Sequence, residues 1–382
     1  MSLNNIPFFS ILKRDQMPKF KSICIRILVV AIAFILSILF ASLIIKENPL
    51  IITATMAKGA FQMPIRLLFN TAIILGFGIA IVPAFKMKYW NMGANGQVLM
   101  GCLVSCVIMF YLGNKMSNGL LLLLMFICSI LVSVIWAIIP AVFKAFFNTN
   151  ETLFTLMTNY IAATLVSYVN FIMAKGKQET IGVINIMTGK GWLPVLGNRY
   201  VIPIIVITLI TIFIYIYMKK TKHGFEIAVL GDSPNTARYA NMNTKLITIR
   251  TIALSGIICG IIGFLYASTI DHTVSSTTGG SLGFTGILVA WLSNFNPFIM
   301  AVISFILSFI TDGSNKISSD FHLGSNNLSN VIFGIIFFSM LIAEFIIRYK
   351  VVINAKKKIK ENEVDVISPN VTIDENEVKE VA

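Results

Sequence analysis

The sequence predicts an all-α protein, a polytopic transmembrane helical bundle with eight to ten spans and both termini in the cytoplasm. Of its 382 residues, 56% are hydrophobic and only 12% are charged, whereas a soluble domain carries about 25% charged residues. The apolar residues form blocks close to the length that an α-helix needs to cross a hydrocarbon core. The stretch 27–45 is apolar on every face, which favours helices over the alternating strands of a membrane β-barrel.

Ten apolar blocks between polar breaks predict the spans in order. They lie at 27–45, 67–85, 97–112, 120–143, 153–173, 200–218, 251–270, 283–295, 297–311 and 331–347. The first block follows a polar segment without a cleavage pattern, so it is predicted to be a retained span. The short pair divided by Asn294-Phe295-Asn296-Pro297 is interpreted either as two spans or as two half-helices of one re-entrant hairpin. The hairpin would reduce the count to eight.

Basic residues flank the first and last spans and predict the orientation of the chain. Cytoplasmic segments of membrane proteins are enriched in Lys and Arg. The flanking residues are Lys13, Arg14, Lys19, Lys21, Arg26, Arg348, Lys350, Lys356, Lys357, Lys358 and Lys360. We therefore expect a multi-pass protein of the cell membrane with both termini inside. The net charge of +13 is interpreted as this orientation signal, and nucleic acid is not expected as a partner.

Three regions follow from the composition along the chain. They are a cytoplasmic N-terminal segment (1–26), a transmembrane domain (27–350) and a disordered cytoplasmic tail (351–382). The tail mixes Lys-rich and acidic runs with few large apolar residues, so it cannot bury enough surface to offset the entropy cost of ordering. Two polar loops interrupt the transmembrane domain, one outside at 174–199 and one inside at 219–250.

The inner loop contains a short helix that is predicted to begin at Ser233. A serine can cap free backbone amides, and Pro234 suits the first helical position. The apolar and aromatic residues Ala237, Tyr239 and Ala240 are unexpected in a loop that only connects two spans. They favour a surface that docks on another protein, and the alternative is an amphipathic helix that lies on lipid headgroups.

A second polar segment, 90–101, enters the third predicted span. It contains Asn91, Gly93, Asn95, Gly96, Gln97 and Gly101. The glycines allow two backbones to approach closely. The amides need hydrogen-bond partners or a water-filled path at membrane depth. The segment is therefore interpreted either as helix packing with satisfied amides or as part of a substrate path.

Four segments of the chain resemble permeases of ABC importers of the simple-sugar and nucleoside group, a branched-chain-type family. Segment 90–101 is similar to the Asn-Ile-Gly-Ala-Glu-Gly-Gln signature of the nucleoside-type members, but Asn95 stands where those members usually have Glu. The inner loop with Arg238 resembles the coupling region that meets the ATPase. The resemblance runs in the family's order over roughly residues 60–345.

The third and fourth matching segments lie further along the chain. They are Asn150-Glu151-Thr152-Leu153-Phe154-Thr155-Leu156-Met157-Thr158-Asn159-Tyr160-Ile161-Ala162 and Gly283-Phe284-Thr285-Gly286-Ile287-Leu288-Val289-Ala290 with Asn296-Pro297.

The resemblance implies a permease subunit that supplies the translocation path for a small-molecule solute, a nucleoside or a simple sugar. Its implied partners are an ABC ATPase subunit, a second related permease and an extracellular lipid-anchored substrate-binding protein. The candidate substrate-path residues are Asn91, Asn95, Gln97, Asn159 and Trp291. The candidate ATPase-coupling residues are Ser233, Pro234, Ala237, Arg238, Tyr239 and Ala240. The candidate packing or gating glycines are Gly93, Gly96, Gly101, Gly283 and Gly286.

Motifs that the sequence lacks narrow the function further. Without a Gly-x-x-x-x-Gly-Lys-Ser/Thr phosphate loop, the chain is predicted not to be an enzyme, and ATP hydrolysis is assigned to a partner chain. No cofactor or metal site is predicted, because Cys102 and Cys106 are interpreted as small buried hydrophobes. The alternatives are an ion-gradient-driven secondary transporter of a small polar solute, a membrane enzyme of lipid metabolism and a scaffold. Span centres nearly free of charge weaken the first alternative.

Overall fold

The computed structural model describes residues 9–13, 18–323 and 328–353. Its contacts divide the chain into two units. The central unit is residues 41–330, and the terminal unit combines residues 1–40 with residues 331–382.

The terminal unit consists of β1 (Phe9–Lys13), most of α1 (Lys19–Ile45), most of α13 (Leu328–Arg348) and β2 (Tyr349–Ile353). The two strands pair antiparallel, with Phe9 opposite Ile353. The run Tyr-Lys-Val-Val-Ile of β2 is rich in residues that favour strands. Residues 351–353 were expected in the disordered tail, so this strand is a correction. The rest of the predicted tail, 354–382, lies outside the described residues.

The central unit contains the remaining helices. They are α2 (Pro49–Phe61), α3 (Pro64–Lys86), α4 (Ala94–Leu112), α5 (Asn118–Phe147), α6 (Glu151–Met173), α7 (Val201–Lys220), α8 (Lys222–Asp232), α9 (Pro234–Tyr239), α10 (Thr244–Leu265), α11 (Leu282–Leu292) and α12 (Pro297–Asp320). A π-helical turn, Tyr266–Ile270, continues α10.

Eight helices in the described part of the chain are long and apolar enough to cross a membrane, or nine if the bent pair Ala31–Ile45 and Pro49–Phe61 is one broken span. The polytopic helical bundle is thus confirmed. Two details differ from the expectation. The predicted block 27–45 contributes only to the bent pair. The pair 283–295 and 297–311 is neither two spans nor two half-helices, because α11 has 11 residues and α12 has 24.

Helix α3 lies at the centre of this unit. Its apolar window is 83% buried, and it contacts α7, α10, α11 and α12. By contrast, α5 exposes one apolar face with helical spacing. The residues of that face are Leu120, Leu123, Ile127, Leu131, Ile135, Ile139 and Phe143. A large exposed apolar stripe on a 30-residue helix suits contact with lipid.

Small residues bring α5 and α10 to backbone distance. A β-carbon added to Gly260 would lie 2.7 Å from the Cα of Ile130, so only glycine fits there. The Ser129 hydroxyl donates to the carbonyl of Gly260 at 2.7 Å, and the Ser133 hydroxyl donates to the carbonyl of Gln97 at 2.7 Å. Small side chains and hydroxyl bonds of this kind join helices in membranes, where the apolar side chains gain little from leaving lipid.

Candidate functional site

Four side-chain amides gather where the chain enters α4, and we call Asn91, Asn95, Gln97 and Asn159 the amide junction. Helix α3 ends at Lys86, and an irregular segment leads from there to α4. The N–H groups of Met87, Lys88 and Tyr89 still bond to carbonyls of α3. Beyond them, the backbone N–H groups must bond outside a helix. A side-chain amide offers both donors and an acceptor, so amides suit this position.

Asn91 is the buried centre of the junction. Its side-chain oxygen accepts from the backbone N–H of Gly93 at 3.0 Å and from the amide of Gln97 at 3.3 Å. Its amide nitrogen donates to the hydroxyl of Ser255 on α10 at 3.2 Å. Asn91 is 0% exposed and Gln97 is 2% exposed. Asn91 therefore holds the segment against α10, and neither residue presents surface to a solute in this conformation.

Asn159 holds the same segment from the other side, on α6. Its oxygen accepts from the N–H of Gly96 at 2.8 Å, and its amide donates to the carbonyl of Met92 at 2.8 Å. The N–H of Met92 in turn donates to the hydroxyl of Thr155 at 3.1 Å. The irregular segment is thus fastened to α6 as well as to α10.

Asn95 joins the start of α4 to the turn that precedes α11. Its amide donates to the carbonyl of Gly280 at 2.9 Å, and its oxygen accepts from the N–H of Gly283 at 2.8 Å. A carboxylate at this position could accept from Gly283 but could not donate to Gly280. The asparagine that departs from the usual glutamate therefore makes a two-sided bond that an acid cannot make.

Trp291 lies next to the amide junction, where its ring contacts the ring of Trp90. The two rings meet edge to face with centroids 5.3 Å apart, and Trp90 also packs edge to face on Phe85 at 5.2 Å. Trp291 is 44% exposed. The structure therefore brings all five predicted path residues to one region, and their role as a substrate path stays a prediction.

The five predicted glycines all lie at close approaches between elements. An added β-carbon would lie 3.1 Å from the Asn91 oxygen at Gly93 and 2.8 Å from the Asn159 oxygen at Gly96. A β-carbon added to Gly101 would lie 2.6 Å from the Ser133 hydroxyl, and one added to Gly283 would lie 2.6 Å from the Asn95 oxygen. A β-carbon added to Gly286 would lie 2.8 Å from the β-carbon of Phe77. These contacts give each glycine a packing role.

The predicted coupling helix is α9. The Ser233 hydroxyl accepts from the N–H of Thr236 at 3.2 Å, and Pro234 is the first helical residue. Tyr239 is 92% exposed, whereas Ala237 is fully buried. Ala237 was grouped with a surface for a partner, but it packs inside the chain. The predicted coupling residues that are exposed to a partner are Pro234, Arg238, Tyr239 and Ala240.

Helix α8, which the sequence did not predict, places α9 beside the amide junction. A β-carbon on Gly231 would lie 3.3 Å from the Cα of Met87, so α8 touches the chain just past the end of α3. The ammonium of Lys88 lies 3.5 Å from the carbonyl of Asp232. A displacement of α8 and α9 would therefore act directly on the segment that leads to Asn91.

His223 anchors the first turn of α8 between two spans. Its Nδ1 lies 2.8 Å from the hydroxyl of Tyr217, and its Nε2 lies 3.3 Å from the hydroxyl of Thr251. Because Thr251 donates its proton to the carbonyl of Ile247, it can only accept from the imidazole, which puts the proton on Nε2. Burial lowers the pKa of His223 and so favours this neutral form.

A second polar region, which we call the outer cleft, lies between α2, α3 and α12. It comprises Gln62, Arg66, Asn70, Asp312, Asn315 and Lys316. The amide of Asn70 donates to both carboxylate oxygens of Asp312, at 2.9 Å and 3.1 Å. Lys316 pairs with Asp320 at 2.7 Å. Asp312 and Asp320 lie on the last turns of α12, beyond the predicted end of that span at 311. A cavity of about 170 Å³ opens here.

A family profile decides what kind of protein carries this site. The profile described as "branched-chain amino acid transport system / permease component" matches residues 63–341. The chain belongs to this permease family. The permease is therefore a multi-pass protein of the cell membrane and the membrane subunit of an ABC transporter, as the sequence predicted. Such permease components are not themselves enzymes, and they work with ATPase and substrate-binding partners.

Among its relatives are two permeases named for nucleosides. The nucleoside ABC transporter permease protein NupB of Lactococcus lactis is 25% identical over 63% of the chain and 69% of its own length. The guanosine ABC transporter permease protein NupP of Bacillus subtilis is 25% identical over 56% of the chain and 63% of its own length. The glucose ABC transporter permease protein TsgB13 of Haloferax volcanii is 22% identical over 72% of the chain and 74% of its own length. No solved structure matches the chain.

The sequence missed three parts of the site in the permease. The outer cleft has a signal in hindsight, because Arg66 and Asn70 stand one turn apart in an otherwise apolar span. Helix α8 is hidden by Gly224 and Gly231, which disfavour helix but here permit close packing. The bridge through His223 joins residues 28 positions apart and has no local pattern.

Proposed function

We propose that the permease is the translocating subunit of an ATP-driven importer for nucleosides, with a simple sugar as the alternative solute. The observation that carries the proposal is the half-exposed ring of Trp291 beside the amide junction. A nucleobase offers a π-face that can stack on an indole and edges that bond to amides, whereas a sugar lacks the π-face. The two relatives named for nucleosides or guanosine support the same solute class.

In this proposal the amide junction is the element that switches access. Asn95 holds the start of α4 to the turn before α11 through two bonds, at 2.9 Å and 2.8 Å. Breaking both bonds would part α4 from α11 and free Trp291 and the junction amides for a solute. The neutral amides could rebind backbone or solute without a change of charge.

The ATPase docks on α9 in the same proposal. Tyr239 and Arg238 are exposed, and aromatic and Arg side chains are enriched among residues that dominate binding at interfaces. Closure of the ATPase would push α9, then α8 at Gly231, and then the segment beyond α3.

Positions 1–26 and 219–250 are cytoplasmic in this arrangement. The further partners are a second related permease, giving a heterodimer, and an extracellular lipid-anchored substrate-binding protein.

The solute class is tested with the assembled transporter. The full-length permease is co-expressed with its ATPase and second permease, purified in mild detergent and assayed for ATPase turnover with binding protein and adenosine, guanosine or glucose. We expect stimulation by the nucleosides, and loss of most of it in Trp291→Ala. The matched control is Phe284→Ala, which truncates an aromatic side chain of similar exposure on the same helix. Stimulation by glucose alone would replace the nucleoside assignment with a sugar.

Docking is tested by charge reversal on α9. Arg238→Glu should reduce the ATPase recovered with the permease by about tenfold or more, the scale of an interface hot spot. Lys175→Glu makes the same charge change in an exposed loop on the predicted outer side and should leave recovery unchanged. Equal recovery with both variants would remove α9 from the interface, while nucleoside stimulation could still hold.

A further inference from the structure

A cavity of about 180 Å³ lies between the ends of α3 and α7 and the turn that joins α11 to α12. It is separate from the amide junction and from the outer cleft. With the orientation that the basic residues predict, it opens at the cytoplasmic face. Its polar lining is Lys86, Tyr215, Lys219, Asn294 and Asn296.

The two lysines carry charge that the cavity does not compensate. The residues that line it in the described part of the chain include no Asp or Glu. The ammonium of Lys219 donates to the hydroxyl of Tyr215 and lies 4.3 Å from the centroid of that ring, both neutral partners. Lys86 is half-buried. Two cations that share a cavity repel each other, and an anion between them would remove the repulsion.

The wall deeper in the bundle is apolar. Ile79 and Val82 lie one to two turns before Lys86 on α3, and Ile214 lies at the same depth on α7. On α12, exposed apolar residues recur every four positions from the cavity toward the membrane interior and suit contact with acyl chains. They are Phe298, Val302 and Ile306. The ring of Phe298 packs edge to face on Tyr215 of the cavity, with centroids 5.7 Å apart. The cavity thus runs from apolar to cationic toward the membrane surface, the order in which a phospholipid carries its chains and its phosphate.

The turn beside the lysines is held in a fixed shape and offers donors. Asn294 and Phe295 have positive φ angles of 50° and 61°, a left-handed conformation that L-residues rarely adopt. Backbone bonds to Trp291 and Ala290, at 3.1 Å and 3.0 Å, hold the turn. The oxygen of Asn296 caps α12 by accepting from Phe298, which leaves its NH₂ group for another acceptor. The N-terminus of α12 adds partial positive charge.

We propose that this cavity binds the headgroup of an anionic phospholipid from the cytoplasmic leaflet, with its phosphate between Lys86 and Lys219 and its chains along the exposed apolar stripe of α12. Basic pockets between transmembrane helices at the cytoplasmic side bind such headgroups, and lysine side chains reach to the membrane surface from helix ends. The bound lipid would hold α3, α7 and the turn before α12 together. The proposal does not depend on which solute the permease carries.

The test is native mass spectrometry of the full-length permease titrated with phosphatidylglycerol or with phosphatidylcholine of the same chains. The variants are Lys86→Gln, Lys219→Gln and the pair. The matched control is Lys220→Gln, which removes the same charge from the next residue, outside the cavity. We expect phosphatidylglycerol to bind more tightly than phosphatidylcholine. Each cavity variant should weaken it about fivefold and the pair about 30-fold, and the control should not.

Three results would overturn the proposal. They are unchanged phosphatidylglycerol affinity in the double variant, equal binding of the two lipids, and displacement of the lipid by millimolar inorganic phosphate. The last result would make this a site for a free anion. Lys219 is exposed and its substitution should not disturb folding, so the Lys219→Gln measurement stands even if the Lys86 variant folds poorly.

Discussion

The amide junction and the outer cleft are both polar clusters between helices of the central unit, but they are built from different groups. The junction uses four neutral amides, two of them buried and two half-buried, and most of their bonds go to backbone. The outer cleft uses charged side chains that bond to other side chains and remain partly exposed. Burying an unpaired charge costs far more free energy than burying an amide with partners. The comparison indicates that the junction holds backbone segments together, whereas the side chains of the cleft are partly open to solvent.

The largest loss of stability is expected from substitution of Asn91, the buried centre of the amide junction. In Asn91→Ala the N–H of Gly93 and the amide of Gln97 lose their acceptor, which should destabilise the permease by about 2–3 kcal/mol. Thermal unfolding in detergent measures this change. The matched control is Asn315→Ala in the outer cleft, where water can replace the side chain, and it should change stability by less than about 0.5 kcal/mol. Similar losses of stability in both variants would show that the amide junction and the outer cleft contribute alike to the fold.

The next prediction separates the donor of Asn95 from its acceptor. Asn95→Asp keeps the acceptor for Gly283 and removes the donor to Gly280, so it should weaken the hold of α4 on α11 by about 1–2 kcal/mol. We expect nucleoside uptake to fall about tenfold, because about 1.4 kcal/mol corresponds to a factor of ten. Uptake into proteoliposomes with the assembled transporter is the measurement.

Asn118 provides the control for that substitution. It makes the same kind of two-sided bond at the other end of the bundle, accepting from Gly191 at 2.8 Å and donating to the carbonyl of Trp192 at 3.3 Å. Asn118→Asp should loosen the outer loop and leave uptake within about twofold. If both variants transport like the parent, the junction does not control access.

A smaller effect is expected at His223, where the dependence of stability on pH tests whether the imidazole is neutral in the folded protein. Burial lowers its pKa below the usual 6.5. The folded protein therefore binds fewer protons than the unfolded chain, and the stability due to the neutral form is lost as pH falls through 6.5. Between pH 8 and 5.5, thermal stability should fall more in the parent than in His223→Gln. His272, whose pKa burial also lowers, is present in both proteins and cancels. Parallel pH profiles would contradict the neutral bridge.

The smallest change in stability is expected at Asp312. Asp312→Asn keeps one acceptor for Asn70 and removes a partly exposed charge, so it should alter the free energy of unfolding by less than about 1 kcal/mol. The same variant sharpens the comparison if uptake changes while stability does not, since that result would assign the outer cleft to the solute and not to the fold. A large loss of stability in Asp312→Asn would instead show that the outer cleft, like the amide junction, stabilises the fold.

Much of the fold was predictable because long apolar blocks have few alternatives in a membrane. The predicted spans 67–85 and 153–173 correspond to Pro64–Lys86 and Glu151–Met173. The end of α12 was set too early, at 311, because its last turns carry Ser, Thr, Asn and Asp, which are typical of loops. Helix α2 was missed because its 13 residues are too few for a span and include polar positions.

The sequence predicted which residues gather at the candidate site but not which hydrogen bonds they make. The clustering of Asn91, Asn95 and Gln97 in one segment predicted polar contacts, and the choice between packing and solute contact was left open. Asn159 lies 68 positions after Asn91, and Gly280 lies 185 positions after Asn95, so no local pattern connects them. Their bonds arise only when four helices converge on one irregular segment.

The close seam between α5 and α10 limits which parts of the permease can move. Gly256 and Gly260 leave no space for sliding, and the hydroxyl of Ser129 bonds across the seam to the carbonyl of Gly260. Sliding by even one residue would break this bond and drive side chains into the facing backbone. We therefore expect α5 and α10 to travel as one rigid body during transport. The hinge must then lie elsewhere, and the turn before α11, held to α4 by Asn95, is placed to serve as one.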